Sequence, residues 1–104
     1  MKNINVGNKV IGAGHPCFVL MDAGVNHNND LNRAKELIRT AAESGADMVK
    51  FQTYTAEQMA TKMAPRYWNP KLDTDGGGTQ YDTFKRIDKL PREAYQSMID
   101  YAKS

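Results

Sequence analysis

Cysteine is almost missing from this 104-residue chain: Cys17 stands alone. A single thiol excludes an intramolecular disulfide framework and fits a reducing cytoplasm. Long apolar runs are missing as well. No stretch approaches the roughly 18 consecutive apolar residues that mark a membrane-crossing helix. No basic segment followed by an apolar core opens the chain, so a secretory leader is not expected either. Charge of one sign is scarce, with 14 Lys and Arg against 12 Asp and Glu and a net charge of +2. That balance, without a dense Lys/Arg cluster, argues against a nucleic-acid surface. Internal repeats and low-complexity tracts are also lacking. What remains is 40% hydrophobic and 25% charged, an ordinary globular composition at a length that admits one small domain.

The order of elements is written in the punctuation. Ile4, Val6 and Val10 flank Gly7-Asn8, which predicts a hairpin with a two-residue loop. The unbroken apolar run Cys17 to Met21 predicts a strand covered on both faces, as in a parallel sheet. Asn28, Asn29 or Asp30 caps a following helix, whose stripe is Leu31, Ala34, Leu37, Ile38, Ala41 and Ala42. Gly45 ends that helix, and Asp47 to Thr53 forms a second strand. The whole is a βαβ unit. Beyond it, Ala56 to Ala64 predicts a short helix, and Tyr81 to Ile87 one or two helical turns. Pro91 opens a last helix with Ala94, Met98, Ile99 and Ala102 as its buried face. Two parallel strands cannot hide both faces of a sheet, and a (β/α)8 barrel needs about 250 residues. The expected fold class is therefore α/β, the N-terminal fragment of a TIM barrel preceded by a hairpin.

Side chains alternate along a strand, so Met48, Lys50 and Gln52 share one face and Val49 and Phe51 the other. Leu20 and Asp22 share a face on the first strand, with Val19 and Met21 opposite. If the larger apolar pairs meet the outer helices, the other face carries Asp22, Lys50 and Gln52 near the carboxyl ends of neighbouring strands, where α/β folds bind ligands. Lysine is rarely buried without a partner. In the bland reading Lys50 merely forms a salt bridge to Asp22. In the functional one it is a cation for an anionic substrate, with Asp22 as acid–base or polar partner. The loop Gly24 to Asp30 supplies turn and cap chemistry, and Asn26 and His27 are candidates to line the same site. No partner at ligand spacing makes His27 a metal site, and His15 reads as structural.

Other patterns fail on their spacing. Gly12-Ala13-Gly14 precedes its strand and lacks a third glycine, and Gly76-Gly77-Gly78-Thr79 has no following Lys-Ser/Thr. Asp73 and Asp75 hint at calcium without the spaced ligands of an EF-hand. Tyr67, Trp68 and Tyr81 read as loop packing, and Cys17 as a small core residue.

Phe18 to Asn28 (FVLMDAGVNHN), followed by Gly45 to Thr53 (GADMVKFQT), resembles the start of the sialic acid synthases. These include the N-acetylneuraminate, legionaminate and pseudaminate synthases and related spore-coat polysaccharide enzymes. The likeness extends from the early hairpin to Thr79-Gln80-Tyr81 and Phe84-Lys85. It implies a TIM barrel with a C-terminal antifreeze-like domain, working as a cytoplasmic homodimer, of which residues 1–104 are part of the barrel. The implied reaction condenses phosphoenolpyruvate with an N-acylated hexosamine to give a nine-carbon 2-keto acid and phosphate. The implied cofactor is manganese or magnesium, with ligands beyond Ser104.

By the same resemblance, Lys50 contacts phosphoenolpyruvate and Gln52 helps hold the acceptor sugar. Asn26 and His27 support the site, and Asp22 stands where glutamate is usual. Aspartate withdraws the carboxylate by one methylene, about 1.5 Å. Misplacement of that order costs about a hundredfold in rate. The 104 residues alone are expected to be inactive. Two alternatives stay open: a non-catalytic or truncated sugar-binding relative, and another phosphoenolpyruvate-condensing barrel that uses a phosphorylated sugar.

Overall fold

Gly7, at φ +58, closes the tight loop of an antiparallel hairpin. Its strands are β1 (Ile4–Val6) and β2 (Lys9–Ile11), with Ile4 opposite Ile11. The computed structural model describes residues 2–72, 74, 76–87 and 89–104. The Asp73 and Asp75 pair therefore lies outside the described residues. After the hairpin come β3 (Leu20–Gly24), α1 (Leu31–Glu43), β4 (Met48–Phe51) and α2 (Ala56–Met59). A single 3-10 turn (Pro70–Leu72) precedes α3 (Gln80–Ile87) and α4 (Arg92–Lys103). The pair β3 and β4 is parallel, joined through α1 as the βαβ reading requires.

Helix α1 is bounded by chemistry visible in its sequence. Asp30 is the N-cap, its carboxylate accepting from the N–H groups of Asn32 at 2.8 Å and Arg33 at 3.3 Å. Such a cap contributes about 1 kcal/mol. At the other end Gly45 adopts φ +81. Its N–H donates to the Ala42 carbonyl while that of Ala46 donates to Ala41, the paired bonds of a Schellman turn. Asp47 then ties three elements together. Its carboxylate accepts from the Val19 N–H at 2.9 Å and pairs with Lys9 of β2 at 3.1 Å. Those contacts, the Val19 bond foremost, hold its carboxyl below the usual carboxylate range.

The core lies on one side of the strand pair. Ala34 and Ile38 of α1 meet Leu90 and Met98, with Leu31, Val49, Phe51, Ala94 and Tyr95 packed around them. Each aliphatic side chain fully buried there contributes about 1.5–3 kcal/mol. The absence of a larger side chain at Ala34, wholly buried, leaves room for the close approach of α1 to its neighbours.

Several expectations need correction. The first strand begins at Leu20, not at Cys17, and runs to Gly24. β4 begins only at Met48, so among the described residues no strand pairs with residues 17 and 18, and Cys17 is exposed, not a core residue. The second strand is shorter than Asp47 to Thr53. Helix α2 is a single turn, not the nine residues Ala56 to Ala64. Ala60 is extended, and the Ala64 carbonyl accepts the Gln80 N–H at the start of α3. On α4, Ile99 and Ala102 are exposed, while Tyr95 joins the packing through its half-buried ring. Val19 and Met21 are likewise exposed, because α1 and α4 cover Val49 and Phe51 of β4 instead. Ala42 also faces solvent. Among the described residues no helix is long and apolar enough to cross a membrane.

Candidate functional site

The alternation of β4 decides which side chains leave the core. Val49 and Phe51 are half-buried against the helices, whereas Met48, Lys50 and Gln52 are exposed on the opposite face. Asp22 of β3 is the direct register partner of Lys50. Lys50 Nζ lies 2.8 Å from Asp22 Oδ2, with the two side chains 45% and 56% exposed. The ion pair of the bland reading is thus present. It sits on the open face at the carboxyl end of a parallel pair, where a ligand can reach it.

A bulge at Ala23 shapes the end of the pair. Asp22 opposes Lys50 but Gly24 opposes Phe51, so β3 carries one residue more than its partner. Bulges commonly re-aim side chains beside functional sites. Here the chain leaves β3 at Gly24 with φ +53, and the Gly24 carbonyl accepts the Gln52 N–H at 3.0 Å. A Cβ on Gly24 would stand 3.0 Å from Gln52 Oε1 and 3.7 Å from Asp22 Oδ1. Glycine therefore leaves a notch into which both polar side chains turn. The structure brings Asp22, Lys50 and Gln52 together around it.

Asn26 and His27 are placed differently. Asn26 is exposed in the turn after β3, its N–H bonded to the Ala23 carbonyl. His27 is 1% exposed and its ring lies 6.0 Å, centroid to centroid, from Phe51, a residue of the core side. His27 Nδ1 accepts the Asn29 N–H at 3.0 Å, which puts the ring proton on Nε2. Nε2 has no hydrogen-bond partner among the described residues. The imidazole therefore shapes the loop from beneath.

Burial lowers the His27 pKa from its ordinary value of 6.5. The group is neutral in the fold and free to take a proton when unfolded, so its contribution to stability is complete above pH 6.5. It is lost as pH falls from there towards the depressed value. One proton limits this slope to about 1.4 kcal/mol per pH unit. Denaturant titrations between pH 7.5 and 5 are expected to show the loss, and a His27→Gln variant to show a shallower dependence. Equal slopes for the two proteins would rule out the assignment.

Three contributors were not singled out as site residues in the sequence. Gly24 is one. Tyr95 is another: its hydroxyl donates to the Gln52 carbonyl at 3.1 Å and fixes the chain just past β4. Asn29, read only as a possible cap, instead clamps the loop to the α3–α4 corner. Its amide donates to the Arg86 carbonyl at 3.2 Å and accepts the Lys89 N–H at 2.9 Å. Asn28 and Asn29 both adopt positive φ, +50 and +62, a conformation asparagine tolerates better than most residues. A run of asparagines straight after a strand was the available signal.

Among the described residues no three His, Cys, Asp or Glu side chains come together as a metal site. Asp22 is engaged with Lys50, and His27 lies beneath the loop. These residues do not by themselves fit the divalent metal that the resemblance implies.

Comparison with known proteins identifies the lineage. The NeuB family model matches residues 37–104. The chain belongs to the NeuB family. An N,N'-diacetyllegionaminic acid synthase of Legionella pneumophila is 40% identical over 89 residues, covering 86% of this chain and 25% of that protein. The N-acetylneuraminate-9-phosphate synthase of Mus musculus is 35% identical over 92 residues, covering 88% of this chain and 25% of that protein. This NeuB chain thus spans about a quarter of the length of these curated relatives. Two solved structures share its α/β fold. The N-acetylneuraminic acid synthetase of Leptospira borgpetersenii superposes with a TM-score of 0.71 at 24% identity, over 98% of this chain and 30% of that one. The spore coat polysaccharide biosynthesis protein spsE of Bacillus subtilis gives 0.67 at 30% identity, over 98% and 25%.

Proposed function

We propose that these residues form the opening hairpin and first βαβ unit of a (β/α)8 barrel in a sugar-acid synthase. The reaction joins phosphoenolpyruvate to an N-acylated hexosamine. The enol carbon attacks the sugar aldehyde, water adds at the carbon bearing the phosphate ester, and phosphate leaves. The product is a nine-carbon 2-keto acid. The observation that carries this reading is the convergence of Asp22, Lys50 and Gln52 at the carboxyl end of the parallel pair of a NeuB-family chain.

In this reading the Lys50 ammonium balances the carboxylate or phosphate charge of phosphoenolpyruvate. The Gln52 carboxamide, beside the Gly24 notch, both donates to and accepts from the hydroxyl and N-acyl groups of the acceptor. Asp22 stands between the two seats. Asn26 lies at the rim, and His27 supports the loop. A divalent manganese or magnesium ion would be held by residues outside these 104 and would polarise the aldehyde.

The test is an assay on the longest natural protein that contains these 104 residues. Phosphoenolpyruvate is supplied with free or phosphorylated N-acetylmannosamine, and phosphate and 2-keto acid are both measured. Phosphate release is expected to require the sugar and to match 2-keto acid formation one to one. Preference for the phosphorylated acceptor would move the reading to a sugar-phosphate enzyme. Phosphate release indifferent to any sugar, or none at all, would defeat it.

A further inference from the structure

The anion seat of this site is already occupied from within. Lys50 Nζ and Asp22 Oδ2 are 2.8 Å apart, close enough for a charge-assisted hydrogen bond, on strands in direct register. Both side chains project from the face of the strand pair that turns away from α1 and α4. The two oxygens of Asp22 face different ways. Oδ2 meets the ammonium, while Oδ1 lies towards the Gly24 notch, where Gln52 Oε1 also sits. The carboxylate therefore touches the seat assigned to the anion and borders the one assigned to the sugar.

A multiply charged substrate that approaches Lys50 meets the Asp22 carboxylate at the same place. Like charges at that range repel, and the ammonium cannot serve both at full strength. We propose that Asp22 is a built-in counter-ion of Lys50 that phosphoenolpyruvate displaces on binding. The displaced carboxylate pivots about its backbone towards the Gly24 notch and there meets the acceptor sugar beside Gln52. The shorter side chain at position 22 suits this exchange, since aspartate moves between the two partners by rotation of few bonds. This inference rests on the assignment of Lys50 as the phosphoenolpyruvate contact.

The experiment measures the Kd for phosphoenolpyruvate by titration calorimetry, on the longest natural protein that contains this chain. Asp22→Asn keeps the shape of the side chain and removes its charge. It is expected to bind phosphoenolpyruvate about two- to fivefold more tightly, the scale of losing one competing ion pair. Its turnover is expected to fall at least tenfold, so binding and turnover move in opposite directions. A merely structural carboxylate would weaken both. If wild type binds and Lys50→Met does not, yet Asp22→Asn binds no more tightly, the counter-ion role is overturned while the assignment of Lys50 stands. If wild type fails to bind, or Lys50→Met binds as well as wild type, the assignment itself falls and the inference with it. A crystal structure of wild type with phosphoenolpyruvate gives a check that needs no variant. The Lys50–Asp22 separation is expected to open beyond 4 Å, and a pair still closed beside the bound substrate would overturn the proposal.

Discussion

Replacing Lys50 with methionine is expected to lower kcat/KM for phosphoenolpyruvate about three hundredfold, with the protein still folded. Methionine keeps much of the apolar stem of lysine and loses the ammonium. Lys50 projects from β4 on the face away from the core, and its neighbours in the core, Val49 and Phe51, are untouched by the change. The fold therefore loses the ion pair with Asp22 and no contact of the core. The substrate loses much more. When a charged partner in a desolvated complex is truncated, the cost is about 2–5 kcal/mol, because the other charge is left unpaired. Each 1.4 kcal/mol is tenfold, so the middle of that range corresponds to about three hundredfold. Steady-state kinetics with the acceptor held saturating check the prediction. A fall of less than tenfold with unchanged thermal stability would mean that the anion is held elsewhere, and that the pair with Asp22 is only structural.

The position of Lys50 was legible in the sequence because strand alternation leaves little choice. In Met48-Val49-Lys50-Phe51-Gln52 the two residues that pack well alternate with two that carry polar groups. Once Val49 and Phe51 face α1 and α4, Lys50 and Gln52 must face away. Asp22 was placed by the same rule, and its pairing with Lys50 was one of the two readings weighed. The helix caps were equally plain. Asp30 and Gly45 act where their chemistry predicts, since capping is a local matter of one side chain and a few N–H groups.

What was not legible depends on partners distant in sequence. An unbroken apolar run is compatible with a strand anywhere along it, and β3 was misplaced by three residues. Its true start is fixed by where β4 begins, and its end by the bulge at Ala23. The role of Gly24 could not be read locally either. Glycine after a strand signals a turn, whereas the notch exists because Gln52, 28 residues on, turns its amide towards it. Tyr95 looked like an ordinary residue of an amphipathic helix until its hydroxyl was found on the Gln52 carbonyl. His27 shows the same limit from the other side. A histidine in a polar loop suggests a ligand, but the loop turns it inward against Phe51, and the backbone of Asn29 takes its only satisfied nitrogen.

Asn29 provides the second large effect, this time on stability. Its side chain bridges chain segments 57 and 60 residues away, donating to the Arg86 carbonyl and accepting from the Lys89 N–H. Those two bonds fasten the loop after β3 to the corner between α3 and α4, so the segment that follows Asp22 and Gly24 has one fixed course. Asn29→Ala removes both bonds, at about 0.5–1.5 kcal/mol each. It also puts a Cβ residue with no compensating polar group at φ +62, where a left-handed conformation costs roughly 1–2 kcal/mol. The expected loss is about 2–5 kcal/mol in urea or guanidinium denaturation. Asn29→Gly separates the two causes, since glycine accepts positive φ freely and still lacks the amide. It is expected to lose about 1–3 kcal/mol, the share of the hydrogen bonds alone. Equal losses in the two variants would mean that the backbone angle contributes nothing and the clamp accounts for the whole effect. A glycine variant as stable as wild type would mean the reverse, with the bonds to Arg86 and Lys89 adding no net stability. Because Asp22 precedes this loop in β3 and Lys50 lies outside it, the glycine variant is also expected to keep phosphoenolpyruvate affinity within about twofold while turnover falls. The course of the loop bears on where the Asp22 carboxylate can swing, not on whether Lys50 can hold an anion.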